Sequence, residues 1–138
     1  MKLRIRQNSL RLRLNRSDVA QLQKTGICTE SIQFGPGSQL TYRLETSSHW
    51  TVMDTRYDHD CIRVLLPLRM AQDWAASDQV SLSLQHSDSS GPSLLIEKDF
   101  QCLNCEGRNP SEDTDSFPNP LRRRAGRRVQ GGSKQLPR

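Results

Sequence analysis

Long apolar runs are missing from this chain. Nowhere in its 138 residues do apolar side chains approach 18 in a row, which excludes a membrane-spanning helix. Apolar residues make up 33% and mean hydropathy is −0.73, so a large core is excluded as well. Aromatics are 5% of the chain, too few for the stacking platforms that hold single-stranded nucleic acid. No G-x-G-x-x-G is present, and Gly35-Pro36-Gly37 lacks the Lys-Ser/Thr and helix of a phosphate loop. The opening Met1-Lys2-Leu3-Arg4-Ile5-Arg6 alternates charge with aliphatic and lacks the apolar block of a signal peptide. A cytoplasmic protein without a membrane partner is expected.

Charge is plentiful and unevenly spread. The net charge is +5, but residues 121–138 alone carry +7, from Arg122, Arg123, Arg124, Arg127, Arg128, Lys134 and Arg138 with no acid. Residues 1–24 sum to +6 and residues 25–120 to −8. Leu, Ile, Val and Phe number 25 in residues 1–100 and five in residues 101–138, too little apolar surface there to offset chain entropy. The expected organisation is a compact α+β domain over 1–100, an acidic proline-containing arm over 101–120 docked on it or extending from it, and a disordered Arg-rich tail over 121–138.

The first strand carries a change of phase. Leu3 and Ile5 are odd, whereas Leu10, Leu12 and Leu14 are even. Strand side chains alternate with period two, so a break at Gln7-Asn8-Ser9 is required. A hairpin with a Gln7-Asn8 loop pairs Ile5 with Leu10 and Leu3 with Leu12 on one face; a bulged long strand is the alternative. The other face then holds Lys2, Arg4, Arg6, Arg11 and Arg13, with Arg4 opposite Arg11 and Lys2 opposite Arg13. Opposed like charges are destabilising. The compensating anion is either internal (Glu97 and Asp99, or Glu30 and Glu45) or an external polyanion.

Further along, Asn15 or Ser17 caps a short helix that Gly26 ends. Cys28, Ile32 and Phe34 give an even-numbered strand face, and Leu40, Tyr42 and Leu44 the next. Trp50 and Val52 read as another strand, and Asp58-His59-Asp60 as the turn before Ile62, Val64 and Leu66. Pro67 is expected at the first position of a second helix with Ala71, Trp74 and Ala75 inward. Val80, Leu82, Leu84 and then Leu94, Ile96 complete the strands. The fold class is α+β, mainly an antiparallel sheet or a small β-barrel with two short helices. A shift of 52 residues lays Leu10-x-Leu12-x-Leu14 over Ile62-x-Val64-x-Leu66, Val19 over Ala71, Leu22 over Trp74 and Cys28 over Val80, the pattern of an internal pseudo-duplication.

Chemistry is thinly represented. Cys102-Leu103-Asn104-Cys105 has the spacing for two thiolates on one zinc or for a redox dithiol, but lacks a second pair. Asp58-His59-Asp60-Cys61 cannot converge as a triad, because neighbours on a strand face opposite ways. No cofactor, metal site or catalytic set is expected. Phe117-Pro118-Asn119-Pro120 is suited to anchoring on the domain itself or on a partner, and Arg122, Arg123, Arg124, Arg127 and Arg128 to phosphate contacts without sequence specificity.

Two resemblances add to this. Val64 to Pro67 before a short helix, followed by Asp78 to Val80, resembles swapped-hairpin transition-state regulators, which bind DNA as intertwined dimers. More extensively, Met1 to Leu14, Ile96-Glu97-Lys98-Asp99-Phe100-Gln101-Cys102-Leu103 and Phe117-Pro118-Asn119-Pro120 resemble a family of small bacterial proteins of unknown function, over residues 1–120. Gln7 stands where that family usually has Gly. The resemblance supports the architecture and implies no activity. The expected function is a small non-enzymatic binding protein. A nucleic-acid-associated protein using the basic ends, and a zinc or thiol protein using Cys102 and Cys105, are the alternatives. The partners these readings imply are an unspecified protein, a second copy as a homodimer, or nucleic acid held by the tail.

Overall fold

Alternating strands with short punctuated helices fold here into two four-stranded sheets. The computed structural model describes residues 1–88, 90–101 and 114–121. In chain order the elements are β1 (Lys2–Arg6), β2 (Ser9–Leu14), α1 (Arg16–Thr25), β3 (Ile27–Gly35), β4 (Ser38–Ser47), β5 (Asp54–Asp58), β6 (Cys61–Pro67), α2 (Leu68–Ala76), β7 (Ser81–Leu84) and β8 (Ser93–Lys98). The first sheet runs β1-β2-β8-β7 and the second β3-β4-β6-β5. Each joins two antiparallel hairpins through a central parallel pair, β2 with β8 and β4 with β6. Neither sheet closes, so the barrel expectation is corrected: each ends on two edge strands.

The predicted hairpin forms, with Leu3 opposite Leu12, Ile5 opposite Leu10 and Arg6 opposite Ser9 around a Gln7-Asn8 turn. Gln7 has φ 50°, a left-handed value that glycine takes without cost. Leu12 and Leu14 are buried, whereas Ile5 is 59% exposed because β1 is an edge strand with little core beneath it.

The 52-residue repeat is visible in strand register. Ser9 faces Ser93 and Leu12 faces Ile96 across one parallel pair; Cys61 faces Thr41 and Val64 faces Leu44 across the other. Lys2 with Arg13 has its counterpart in Asp54 with Leu65, and Arg6 with Ser9 in Asp58 with Cys61. Each half is hairpin, helix, hairpin, and its two hairpins lie in different sheets. One correction applies at β7. Ser81 faces Glu97 where the plain 52-residue shift requires Gln79, so two extra residues follow α2. The counterpart of buried Cys28 is therefore Leu82; Val80 precedes β7 and is 43% exposed.

Local chemistry accounts for the helix ends. Asn15 accepts from the Asp18 amide at 2.8 Å while Asp18 accepts from the Asn15 amide at 3.0 Å, a reciprocal cap. Gly26, at φ 77°, closes α1. Pro67 is the last residue of β6 and the N-cap of α2, one position earlier than expected, because its extended backbone completes the parallel ladder opposite Ser47. Trp50 and Val52 lie between strands; the chain must cross from β4 to the far edge of its sheet there, and Val52 is exposed. Ile32 and Phe34 are also exposed, because β3 and β4 run past the start of β6 as a free ribbon. A single core cluster holds Leu12, Leu14 and Ile96 of the first sheet, Leu44, Val64 and Leu66 of the second, and Leu22 and fully buried Trp74 of the helices. Among the described residues no helix is long and apolar enough to cross a membrane.

Candidate functional site

Alternation turns Lys2, Arg4, Arg6, Arg11 and Arg13 to the outer face of the first sheet, with Arg4 opposite Arg11 and Lys2 opposite Arg13. Internal acids meet part of this charge. Arg13 donates to Glu97 at 2.6 Å, Arg11 lies 3.7 Å from the same carboxylate, and Lys2 reaches Asp99 at 3.2 Å. Arg4 and Arg6 have no ion pair among the described residues. Glu30 is engaged elsewhere, 3.2 Å from the Met1 amine, which also lies 2.8 Å from Asp18.

The second sheet carries the equivalent row. Arg56, Arg63 and Arg43 stand side by side across three strands. Glu45 accepts from Arg63 at 3.1 and 2.9 Å and from Arg43 at 3.4 Å. The Arg63 contact above all, opposed by burial, holds the Glu45 carboxyl below its usual range. Arg63–Glu45 and Arg11–Glu97 occupy equivalent positions at the 52-residue offset, hydrogen-bonded in the second sheet and 3.7 Å apart in the first. The edge strands differ: where β1 has Lys2, Arg4 and Arg6, β5 has Asp54, Arg56 and Asp58.

The C-terminal arm returns to the domain. Asp115 accepts from the Ser17 amide at 3.1 Å and from the Ser17 hydroxyl, at the start of α1 where amides lack helical partners. Phe117 pairs in parallel with Phe100, its amide donating to the Asp99 carbonyl and its carbonyl accepting from Gln101, both at 2.8 Å. The two phenyl rings meet edge to face at 6.2 Å. Asn119 donates to the Gln101 carbonyl at 2.9 Å. Pro118 and Pro120 are exposed.

Beneath the arm is a cleft of about 500 Å³ with apolar walls from Ala75, Val80, Phe100, Phe117, Pro118 and Pro120. Lys98 lines it, 6% exposed, with Asp78 also in the wall. Burial holds the Lys98 ammonium below the ordinary lysine range, against the opposing charge of Asp78. Lys98 escaped the sequence reading, although its parity was a signal: it shares the inward face of β8 with Leu94 and Ile96.

His59 is 96% exposed in a turn, 4.0 Å from Asp58, and does not meet Cys61. Buried Cys28 donates to the Asp18 carbonyl, and desolvation, helped by the Asp18 charge, pushes its thiol to about 11. Among the described residues no three His, Cys, Asp or Glu side chains gather as a metal site. Cys102, Cys105, Arg122, Arg123, Arg124, Arg127 and Arg128 lie outside the described residues.

Strand register and topology together define a duplicated, sheet-rich α+β protein. The chain belongs to a family of unknown function, DUF7009, whose model matches residues 1–121. No curated protein and no solved structure matches it.

Proposed function

We propose that this protein is a non-enzymatic binding protein that holds duplex nucleic acid by its phosphate backbone, on the outer face of the first sheet. The observation that carries this reading is the difference between the two repeated faces. Both present a cross-strand arginine row beside a glutamate, yet only β1 replaces the flanking acids of β5 with Lys2 and Arg6. Arg4 and Arg6 then remain as cations without an acid among the described residues, spaced along a strand as point charges. The residues facing outward from β1 and β2 include no aromatic, which favours backbone contact with a duplex over base stacking on a single strand. The Arg-rich tail supplies further charge of the same sign.

The test is fluorescence anisotropy of a labelled duplex against the full chain between low and moderate salt. Affinity falls as salt rises, and Arg4→Ala/Arg6→Ala lowers the log–log salt slope by about 2. A chain ending at residue 121 retains the part of the slope that depends on Arg4 and Arg6. Binding that is indifferent to the double substitution and vanishes with the tail overturns the proposal.

A further inference from the structure

The strand period of β8 turns Lys98 inward after Leu94 and Ile96. Its ammonium donates to the Ser77 carbonyl at 2.6 Å, at the C-terminal end of α2, where carbonyls lack helical partners. It also stands 5.5 Å from the Trp74 ring centroid and 5.6 Å from that of Phe117. These groups offer partial negative charge only. Among the described residues no carboxylate lies within ion-pair distance of Lys98, and Ser77 is its single hydrogen-bond acceptor. Buried charges are ordinarily matched by a full counter-charge and by hydrogen bonds to each donor. Among the described residues, two of the three ammonium donors have no acceptor, and they lie beside the cleft under the arm.

We infer that this cleft is a binding site for a small ligand with an apolar body and a single carboxylate, the carboxylate seated on Lys98. Its volume, about 500 Å³, is that of a small-molecule site, and its walls are aromatic, aliphatic and proline with few polar groups. Asp78 in the wall disfavours a dianion such as a phosphate monoester, whereas one carboxylate balances one ammonium. Phe117 and the prolines after it form one wall, so the site exists with the arm docked.

The experiment follows Trp74 fluorescence in a Trp50→Phe background of the full chain, titrated with phenylacetate and hexanoate beside their neutral amides. At least one carboxylate gives a saturable change, its amide binds about tenfold more weakly, and Lys98→Met loses a similar factor. Ala75→Phe fills the cleft while keeping the ammonium, and abolishes binding even if the Lys98 variant fails to fold. Absence of saturation with both carboxylates, equal affinity for acid and amide, or full affinity in Ala75→Phe overturns the inference.

Discussion

Arg63 grips Glu45 with two hydrogen bonds, at 3.1 and 2.9 Å, across the parallel pair in the second sheet. The equivalent pair in the first sheet, Arg11 with Glu97, is a looser ion pair at 3.7 Å, and there Arg13 makes the hydrogen bond at 2.6 Å; at both seams the contact ties one half of the chain to the other. Glu45 is nearly buried, while about a third of each arginine partner stays in water.

Glu45→Gln is expected to lower unfolding free energy by about 1–2 kcal/mol, a value reduced by the solvent screening of the arginines. The folded Glu45 carboxyl titrates below its ordinary value of 4.5, so its contribution is complete above that pH and is lost as pH falls through the depressed value. Urea midpoints measured from pH 7 to pH 3 fall in the wild type, and fall less steeply below pH 4.5 in Glu45→Gln.

The two equivalent hairpin turns are strained differently. Gln7 alone has positive φ in the first, whereas His59 and Asp60, at 47° and 57°, both do in the second. These are the patterns of turns favouring Gly at the first position and Asn-Gly, respectively. Gln7→Gly and His59→Asn/Asp60→Gly each raise stability by up to about 1 kcal/mol, after the larger unfolded-state entropy of glycine is counted. Thermal melts of the two variants are the measurement.

Phe117 is the arm's apolar anchor, packed against the core cluster and over Lys98. Phe117→Ala costs about 1–3 kcal/mol, less than a fully buried phenylalanine because the ring is only partly enclosed. Emission from Trp74 shifts to the red as water reaches the neighbouring ammonium, and limited proteolysis cleaves the arm sooner than in the wild type. Unchanged emission and cleavage would remove the arm from the description of the cleft.

Much of this was legible in the residues. The parity switch between Ile5 and Leu10 required a reversal, and the hairpin has the register that pairing predicted. Asn15, Gly26 and the 52-residue offset of the buried aliphatics pointed to the helix ends and the repeat. Period two cannot say which hairpins pair, so the two-sheet arrangement and its parallel seams were hidden. It also cannot show how far a strand outruns its neighbour, so Ile32 and Phe34 share an even-numbered face with buried Cys28 and are nevertheless exposed. Lys98 was passed over because a charged side chain on an inward position draws notice only once Trp74 and Phe117 are known to close around it.

The crossing of hairpins between sheets has a topological consequence. Cut within residues 48–53, the polypeptide yields two pieces, each owning one wing of both sheets and neither owning a finished one. Such pieces are obliged to reassemble with each other, or each with its own twin, before either has an interior. The intact chain is thus an interlocked pair made covalent, and its two repeats rise or fall as one.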